Sequence, residues 1–307
     1  MRSQTLLGKG VHPMEMYHWA ERHDGLLTVA VLRSAGWTDA AIDYHRSTGR
    51  LRPIRRGVVA INGTPPTWRQ AVRAVLLGAG VEAALSHETA VRVLLGWIGE
   101  RDQIHVLVAM GHQVVLDGVR CHRSGLIEPG DIVRRGELVC TSPVRTVIDL
   151  SGHWSVKRLG ELVDEFMRRR LLDLSELHRR VNGLRPAPGR SVATLRKVLS
   201  RRPANYDPGE SPLEARIAQV VIAERLPPPV QQLPWTVDGH HYRFDFAWPE
   251  ARVYLEGLGF GFHSMASDLE DDARRQNDLV ADGWRPIEIT WGMSDREIGQ
   301  SIRRLLT

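Results

Sequence analysis

The stretch "GLLTVAVLRSAGWTDAAIDYHRSTGRLRPIRRGVVAI", residues 25–61, contains two short helical segments followed by a basic hairpin. Thr28 and Thr38 are in position to cap the two helices, and a glycine follows each expected helix end. An Arg-Arg-Gly turn between two apolar runs predicts the hairpin. Another helical segment precedes this stretch, so residues 14–62 predict three helices and a hairpin, the order of a winged helix-turn-helix.

Candidate DNA contacts lie on the predicted third helix and on the hairpin. Tyr44, Arg46 and Ser47 would face the major groove if this is the recognition helix. Planar guanidinium groups suit phosphate contact, and four approach or occupy the hairpin: Arg50, Arg52, Arg55 and Arg56. A charged hairpin can also be merely solvated, or can bind another protein. The concentration of positive charge favours double-stranded DNA over these alternatives.

Residues 64–200 alternate between helical and strand segments. Thr67 and Ser86 are expected to cap two helices, and "QIHVLVAM", "QVVLDGVRCH" and "ELVCTS" predict strands. Residues of types used by hydrolases also occur here, namely His87, His105, His122, Ser142 and Asp149. No spacing along the chain places them together, and Asp149 follows Arg145 at the distance of a helical ion pair. We therefore interpret these residues as structural.

The last hundred or so residues predict another mixed α/β unit, in the order helix, two strands, helix, strand, helix. Within it, "VYLEGLGFGFH" (253–263) is a buried strand that runs into glycines. A nucleotide-binding loop would open a helix, but the helix that follows begins with acidic residues, which repel a pyrophosphate. Asp245 and Glu256 instead lie on two strands of a predicted hairpin, where adjacent carboxylates can bind Mg²⁺.

Glu214, on the preceding helix, is a third acid that could face this pair. The alternative is that the carboxylates lie at strand ends in solvent or pair with arginine, since an unpaired buried carboxylate is costly. The spacing of the acids leaves both possibilities open.

The segments "SPLEARIAQVV", "HYRFDFAWPEARVYLEG" and "DDARRQNDLVADGWRPIEITW" occur in this order and resemble the very-short-patch-repair endonucleases of the PD-(D/E)xK superfamily. The resemblance implies that Asp245 and Glu256 are catalytic metal ligands. It also implies catalytic roles for Glu214 and His263, and it matches Arg274 to the basic residue of the next helix. Leu258 stands where the family has a second acid or a lysine. Leucine cannot bind Mg²⁺ or activate water, so this departure predicts a degenerate site.

The front stretch, residues 25–61, resembles the winged helix of AbiEi-type antitoxins, and "CTSPVRTVIDLSG" is similar to the middle domain of actinobacterial proteins with the same front end. This resemblance implies DNA binding, repression of the protein's own operon and a toxin partner. Three functions follow as hypotheses: a DNA-binding regulator with a degenerate nuclease-like domain, an active Mg²⁺-dependent DNA endonuclease, or a non-catalytic interaction module.

The predicted fold class is a multi-domain α/β (α+β) protein. Its expected parts are a winged helix at 1–63, an AbiEi-like middle domain at 64–200, a linker at 201–212 and an endonuclease-like domain at 213–307.

Composition bounds these hypotheses. The chain has 307 residues, is 42% hydrophobic and carries a formal net charge of +5, which permits nucleic-acid binding without requiring it. Of its 41 basic residues only Lys9, Lys157 and Lys197 are lysines. Cys121 and Cys140 form no CxxC motif, which excludes a cysteine zinc cluster and fits a reducing compartment. The sequence lacks a signal peptide and an apolar run long enough to cross a bilayer, so we expect a cytoplasmic location and no membrane partner.

Overall fold

A computed structural model describes residues 13–79, 82–97, 103–111, 116–203, 205–258 and 266–307. It confirms the mixed α/β fold class and divides the chain into two compact units, Met1–Leu150 and Ser151–Thr307. The division after Leu150 is coarser than the predicted domains and lies at a different place. The boundaries at 63, 200 and 212 therefore stay a prediction.

The first part of unit one has the element order expected of a winged helix. Its elements are α1 (Pro13–Arg22), β1 (Leu26–Thr28), α2 (Val29–Ser34), α3 (Asp39–Ser47), β2 (Leu51–Arg55) and β3 (Val58–Ile61). The side chains of Thr28 and Thr38 cap α2 and α3, accepting hydrogen bonds from backbone amides at 3.1 Å and 3.2 Å. Both predicted caps are confirmed. Strand β1 was not predicted, and it pairs with β3 to extend the hairpin into a three-stranded sheet.

The rest of unit one is a five-stranded mixed sheet with helices. The elements are α4 (Trp68–Gly78), β4 (Ala83–Leu85), α5 (His87–Leu95), β5 (Ile104–Ala109), β6 (Val119–Ser124), β7 (Ile132–Arg135), β8 (Leu138–Thr141) and α6 (Pro143–Leu150). The strand order is β6-β5-β4-β8-β7, and β5 runs parallel to β6. Buried Val75, Leu85 and Val106 contribute to its core. The short strands β4 and β7 were not predicted.

An ion-pair network is buried in unit one. Arg145 lies 2.8 Å from Asp149, which confirms the predicted i,i+4 pair, and also 2.8 Å from Asp131. It further donates to the Leu126 carbonyl at 2.7 Å. The network therefore joins α6 to the loop before β7. The three charged groups can be buried because they are paired with one another, so we interpret them as structural.

Unit two begins with three helices, α7 (Val156–Arg168), α8 (Leu174–Asn182) and α9 (Val192–Leu199). It continues with α10 (Pro212–Ala223), β9 (Val230–Val237), β10 (His240–Trp248), β11 (Val253–Leu258), α11 (Ala266–Ala281), β12 (Arg285–Thr290) and α12 (Asp295–Leu306). The sheet order is β12-β11-β10-β9, with β11 and β12 parallel. Strand β9 was not predicted because it contains Pro234, which a sheet tolerates on an edge strand such as this one.

The segment expected to be a linker contributes buried side chains to unit two. Arg202 donates to both carboxylate oxygens of Asp164 on α7, at 2.7 Å and 2.6 Å. Gln219 on α10 donates to the same carboxylate at 3.2 Å, and Tyr206 is also buried. Residues before and after the segment are thus joined through one carboxylate.

Candidate functional site

The structure brings the three predicted acids of unit two together around Asp245. Asp245 lies on β10, and its carboxylate accepts a hydrogen bond of 3.0 Å from the Gly257 amide on β11. The β10–β11 pairing places Phe246 opposite Leu255, so Asp245 and Glu256 occupy the next positions along the two strands. The negative charge of Asp245 contributes to raising the pKa of both Glu214 and Glu256. The acids therefore form one cluster, in which the strand spacing predicted the pair Asp245 and Glu256 and left the position of Glu214 open.

Glu214 is almost completely buried at the start of α10. Burial is the main cause that raises the pKa of its carboxyl group, and donors from the backbone of Glu210 and from Ser211 oppose this shift. Its Oε2 atom accepts hydrogen bonds from the Glu210 amide at 2.9 Å and from Gln232 Nε2 at 2.8 Å. Gln232 thus belongs to the site, although no sequence motif indicated it.

Glu256 is the most perturbed acid of the cluster. Burial raises its pKa to about 7, Arg275 on α11 opposes this through an ion pair, and the charges of Asp245 and Glu288 add to the rise. Glu288 lies directly opposite Glu256 in the parallel β11–β12 pairing. An acid whose pKa lies near 7 is suited to exchanging a proton at neutral pH.

A pH dependence of stability follows from this shift. The unfolded carboxyl ionises near 4.5, whereas the folded one keeps its proton until about pH 7. The free energy of unfolding should therefore fall as pH rises between these values, by roughly 3 kcal/mol. Glu256→Gln should remove this fall and be more stable than wild type at pH 8. Urea unfolding at pH 4.5 and pH 8 checks this, with exposed Glu250→Gln as the control; equal slopes in wild type and Glu256→Gln would contradict it.

The remaining predicted residues of this site have different outcomes. Leu258 is half-buried at the end of β11, opposite Thr290, so its apolar side chain adds no ligand beside Glu256. His263 lies outside the described residues. Arg275 on α11 makes an ion pair with Glu256. The role that the resemblance gives to its neighbour Arg274 stays a prediction.

The carboxylate oxygens of these acids are the kind of ligand that a hard divalent cation such as Mg²⁺ prefers. Asp245 and Glu256 are the residues that would hold it. However, Glu256 is already paired with Arg275, and Asp245 already accepts the Gly257 amide. A cation would have to replace the Arg275 contact, which makes the cluster a weaker cation site than a set of unpaired acids.

The candidate DNA contacts of unit one lie at two places. On α3, Tyr44 is 58% exposed, whereas Arg46 is half-buried and lies 3.3 Å from Asp43. The Ser47 hydroxyl donates to the Tyr44 carbonyl at 2.9 Å, so it serves the helix end. On this helix Tyr44 is therefore exposed and not used by the helix end, unlike Ser47, whereas Arg46 is partly covered.

The four arginines of the hairpin region differ in their surroundings. Arg50 and Arg56 are exposed, and Arg52 approaches Gln70 at 3.4 Å. Arg55 donates to the Asp117 carbonyl at 2.7 Å, and burial lowers its pKa. The structure thus assigns Arg55 a contact within unit one and leaves Arg50 and Arg56 as the cations most accessible to a phosphate.

The three helices and the hairpin that carry these residues match a known family. Residues 14–62 match the family described as transcriptional regulator, AbiEi antitoxin. The match confirms the resemblance predicted from residues 25–61 and supports a DNA-binding regulator domain in this segment. The match ends before α4 and covers this segment alone.

Two relatives from Mycobacterium tuberculosis are similar over a longer region. They are the uncharacterized proteins MT2308 (strain CDC 1551 / Oshkosh) and Rv2248 (strain H37Rv), each 26% identical over 170 residues. The alignment covers 54% of this chain and spans about 60% of the length of either relative.

Among the described residues, none of the helices is both long and apolar enough to span a membrane.

Proposed function

We propose that the protein is a DNA-binding transcriptional regulator of the AbiEi antitoxin type, which binds double-stranded DNA through α3 and the β2–β3 hairpin. The match at residues 14–62 carries this proposal. The exposed Tyr44 on α3 and the exposed Arg50 and Arg56 beside it support it, because a recognition helix next to a basic hairpin suits groove and phosphate contact. A toxin encoded beside it is the partner that an antitoxin of this type would have.

Binding to the DNA upstream of its own gene tests the proposal. Fluorescence anisotropy with the full chain should show submicromolar binding at low salt, and affinity should fall steeply as salt rises. A duplex of the same length and scrambled sequence should bind more weakly. Equal and negligible binding of both duplexes at 50 mM salt would refute DNA binding and favour the protein-interaction hypothesis.

The hairpin should account for about two phosphate contacts. Arg50→Ala combined with Arg56→Ala should lower affinity on the order of 10-fold and reduce the slope of log affinity against log salt by about 2. Arg179→Ala is the matched control, because Arg179 is an exposed arginine of unit two. Arg55→Ala should change the slope less than Arg56→Ala does, since Arg55 contacts the Asp117 carbonyl. An unchanged slope in the double variant would place the DNA contacts elsewhere.

A second function is favoured by the cluster of Asp245, Glu256 and Glu214. We propose that unit two is a degenerate endonuclease-like domain whose acids retain the arrangement of a Mg²⁺ site. Leu258 keeps it from hydrolysing DNA, and the Arg275–Glu256 ion pair weakens its affinity for a cation. A plasmid cleavage assay with Leu258→Asp tests this proposal.

A further inference from the structure

Three histidines of unit one converge at one end of the five-stranded sheet. His87 begins α5, His105 lies on β5 and His122 on β6. One ring nitrogen of each lies within 4.8 Å of the other two. His105 Nδ1 is 3.0 Å from His122 Nε2, and the His87 ring stacks on the His122 ring at 3.6 Å between centroids. The prediction that nothing places these histidines together was therefore wrong, because the fold brings them into one cluster.

The neighbours of the cluster are those that orient metal-binding imidazoles. Glu88 Oε2 lies 3.7 Å from His105 Nε2, the nitrogen that does not face His122. Ser86 Oγ lies 3.1 Å from His87 Nδ1. Metal-ligating histidines usually give their second nitrogen to a carboxylate or another oxygen, which fixes the ring for the ion. His87 has this arrangement through Ser86, and the Glu88 carboxylate faces His105 Nε2 at an ion-pair distance.

The backbone at His87 provides an independent observation. His87 has a φ angle of 51°, in the left-handed region that costs a non-glycine residue about 1 kcal/mol or more. Ser86 precedes α5 in an extended conformation, yet its hydroxyl contacts the His87 ring instead of capping the described helix. Such local costs concentrate at functional sites. Here the left-handed φ angle of His87 and the missing side-chain cap of Ser86 both accompany the placement of the His87 imidazole in the cluster.

We propose that His87, His105 and His122 form a binding site for a divalent transition-metal ion such as Zn²⁺, with Glu88 orienting His105. The ligand atoms would be Nδ1 of His105 and Nε2 of His87 and His122. Tetrahedral Zn²⁺ with bonds of about 2.0–2.1 Å needs nitrogens about 3.3 Å apart, close to the spacing of His105 and His122. The His87 ring must turn out of its stack on His122 to join them. Three imidazoles leave the fourth position for water or another ligand.

Zinc titration of the full chain, stripped of metal with a chelator and then dialysed, tests this site. Calorimetry should show one Zn²⁺ per chain with submicromolar affinity, and Co²⁺ should give the visible absorption of tetrahedral coordination. His105→Ala and His122→Gln, made separately, should each weaken binding more than about 100-fold, and Glu88→Gln about 10- to 100-fold. His122 lies on the edge strand β6, so this variant is the one expected to keep its fold.

Two controls separate this site from other binding on the same chain. His241→Ala removes an exposed histidine of unit two, and Asp245→Ala disrupts the acidic cluster; neither should change the affinity for Zn²⁺. Melting followed by circular dichroism without metal should give equal midpoints for wild type and His122→Gln. The proposal is overturned if wild type takes up no Zn²⁺ at about 10 µM, a concentration well above the expected submicromolar Kd. It is also overturned if folded His122→Gln binds as tightly as wild type. Neither outcome depends on DNA binding.

Discussion

Arg202→Ala is expected to lower the free energy of unfolding of unit two by about 3 to 5 kcal/mol. Arg202 and Asp164 form a two-bond ion pair in which both side chains are less than 5% exposed. Removing the guanidinium leaves the Asp164 carboxylate buried with weaker neutral partners, Gln219 at 3.2 Å and the Tyr206 hydroxyl, and without a compensating positive charge. Urea unfolding of the full chain followed by circular dichroism measures the loss, as a shift of the transition that belongs to unit two.

Two further variants make this result specific to the ion pair. Arg201→Ala removes the exposed neighbouring arginine and should change stability by less than about 0.5 kcal/mol. Replacing both partners, Asp164→Leu with Arg202→Met, should recover most of the loss, because no charge is then left buried without a partner. A loss below 1 kcal/mol in Arg202→Ala would show that water reaches Asp164.

Gly160 on α7 leaves the space that the Arg202 guanidinium occupies. A Cβ atom at this position would lie 2.7 Å from the Arg202 guanidinium, so the glycine lets the arginine cross the helix closely. Arg202 also donates to the Val198 carbonyl of α9 at 3.1 Å. The segment that composition indicated as a linker is therefore held by a charged contact, and low apolar content alone did not reveal it.

Local signals in the sequence predicted the local features of the fold well. Thr28, Thr38 and Thr67 were expected to cap helices, and each accepts the hydrogen bond of a cap. These signals need only neighbouring residues, since a cap is formed within one turn. Ser86 has the same sequence context but contacts His87 instead, because another interaction competes for its hydroxyl group.

Features that depend on residues distant in sequence were predicted less completely. The Asp245–Glu256 pair could be predicted because a hairpin fixes how two adjacent strands align. The contact of Glu256 with Arg275, and of Glu214 with Gln232, depends on how α11 and β9 are placed on the sheet. The histidine cluster needs the parallel pairing of β5 with β6, whose register no local pattern specifies.

Leu258→Asp is expected to convert the acidic cluster into a Mg²⁺- or Mn²⁺-dependent nuclease. Leu258 lies two residues after Glu256 on β11, so its side chain points to the same side of the strand. A new carboxylate there can share a cation with Asp245 and Glu256 and help a bound water to ionise. Supercoiled plasmid should stay intact with wild type, and Leu258→Asp should nick it on the order of 100-fold faster than wild type.

The controls for this variant decide between the nuclease hypotheses. Leu258→Asn, which has nearly the same shape without the charge, should not nick the plasmid, and a chelator or added Asp245→Ala should abolish nicking by Leu258→Asp. Cleavage by wild type that is lost in Asp245→Ala would instead show that the natural site is active and that Leu258 does not disable it. If folded Leu258→Asp cuts no faster than wild type, the acids form a structural cluster. In that case the Arg275–Glu256 ion pair stabilises the buried acids, because the guanidinium already supplies the positive charge that a metal ion would bring.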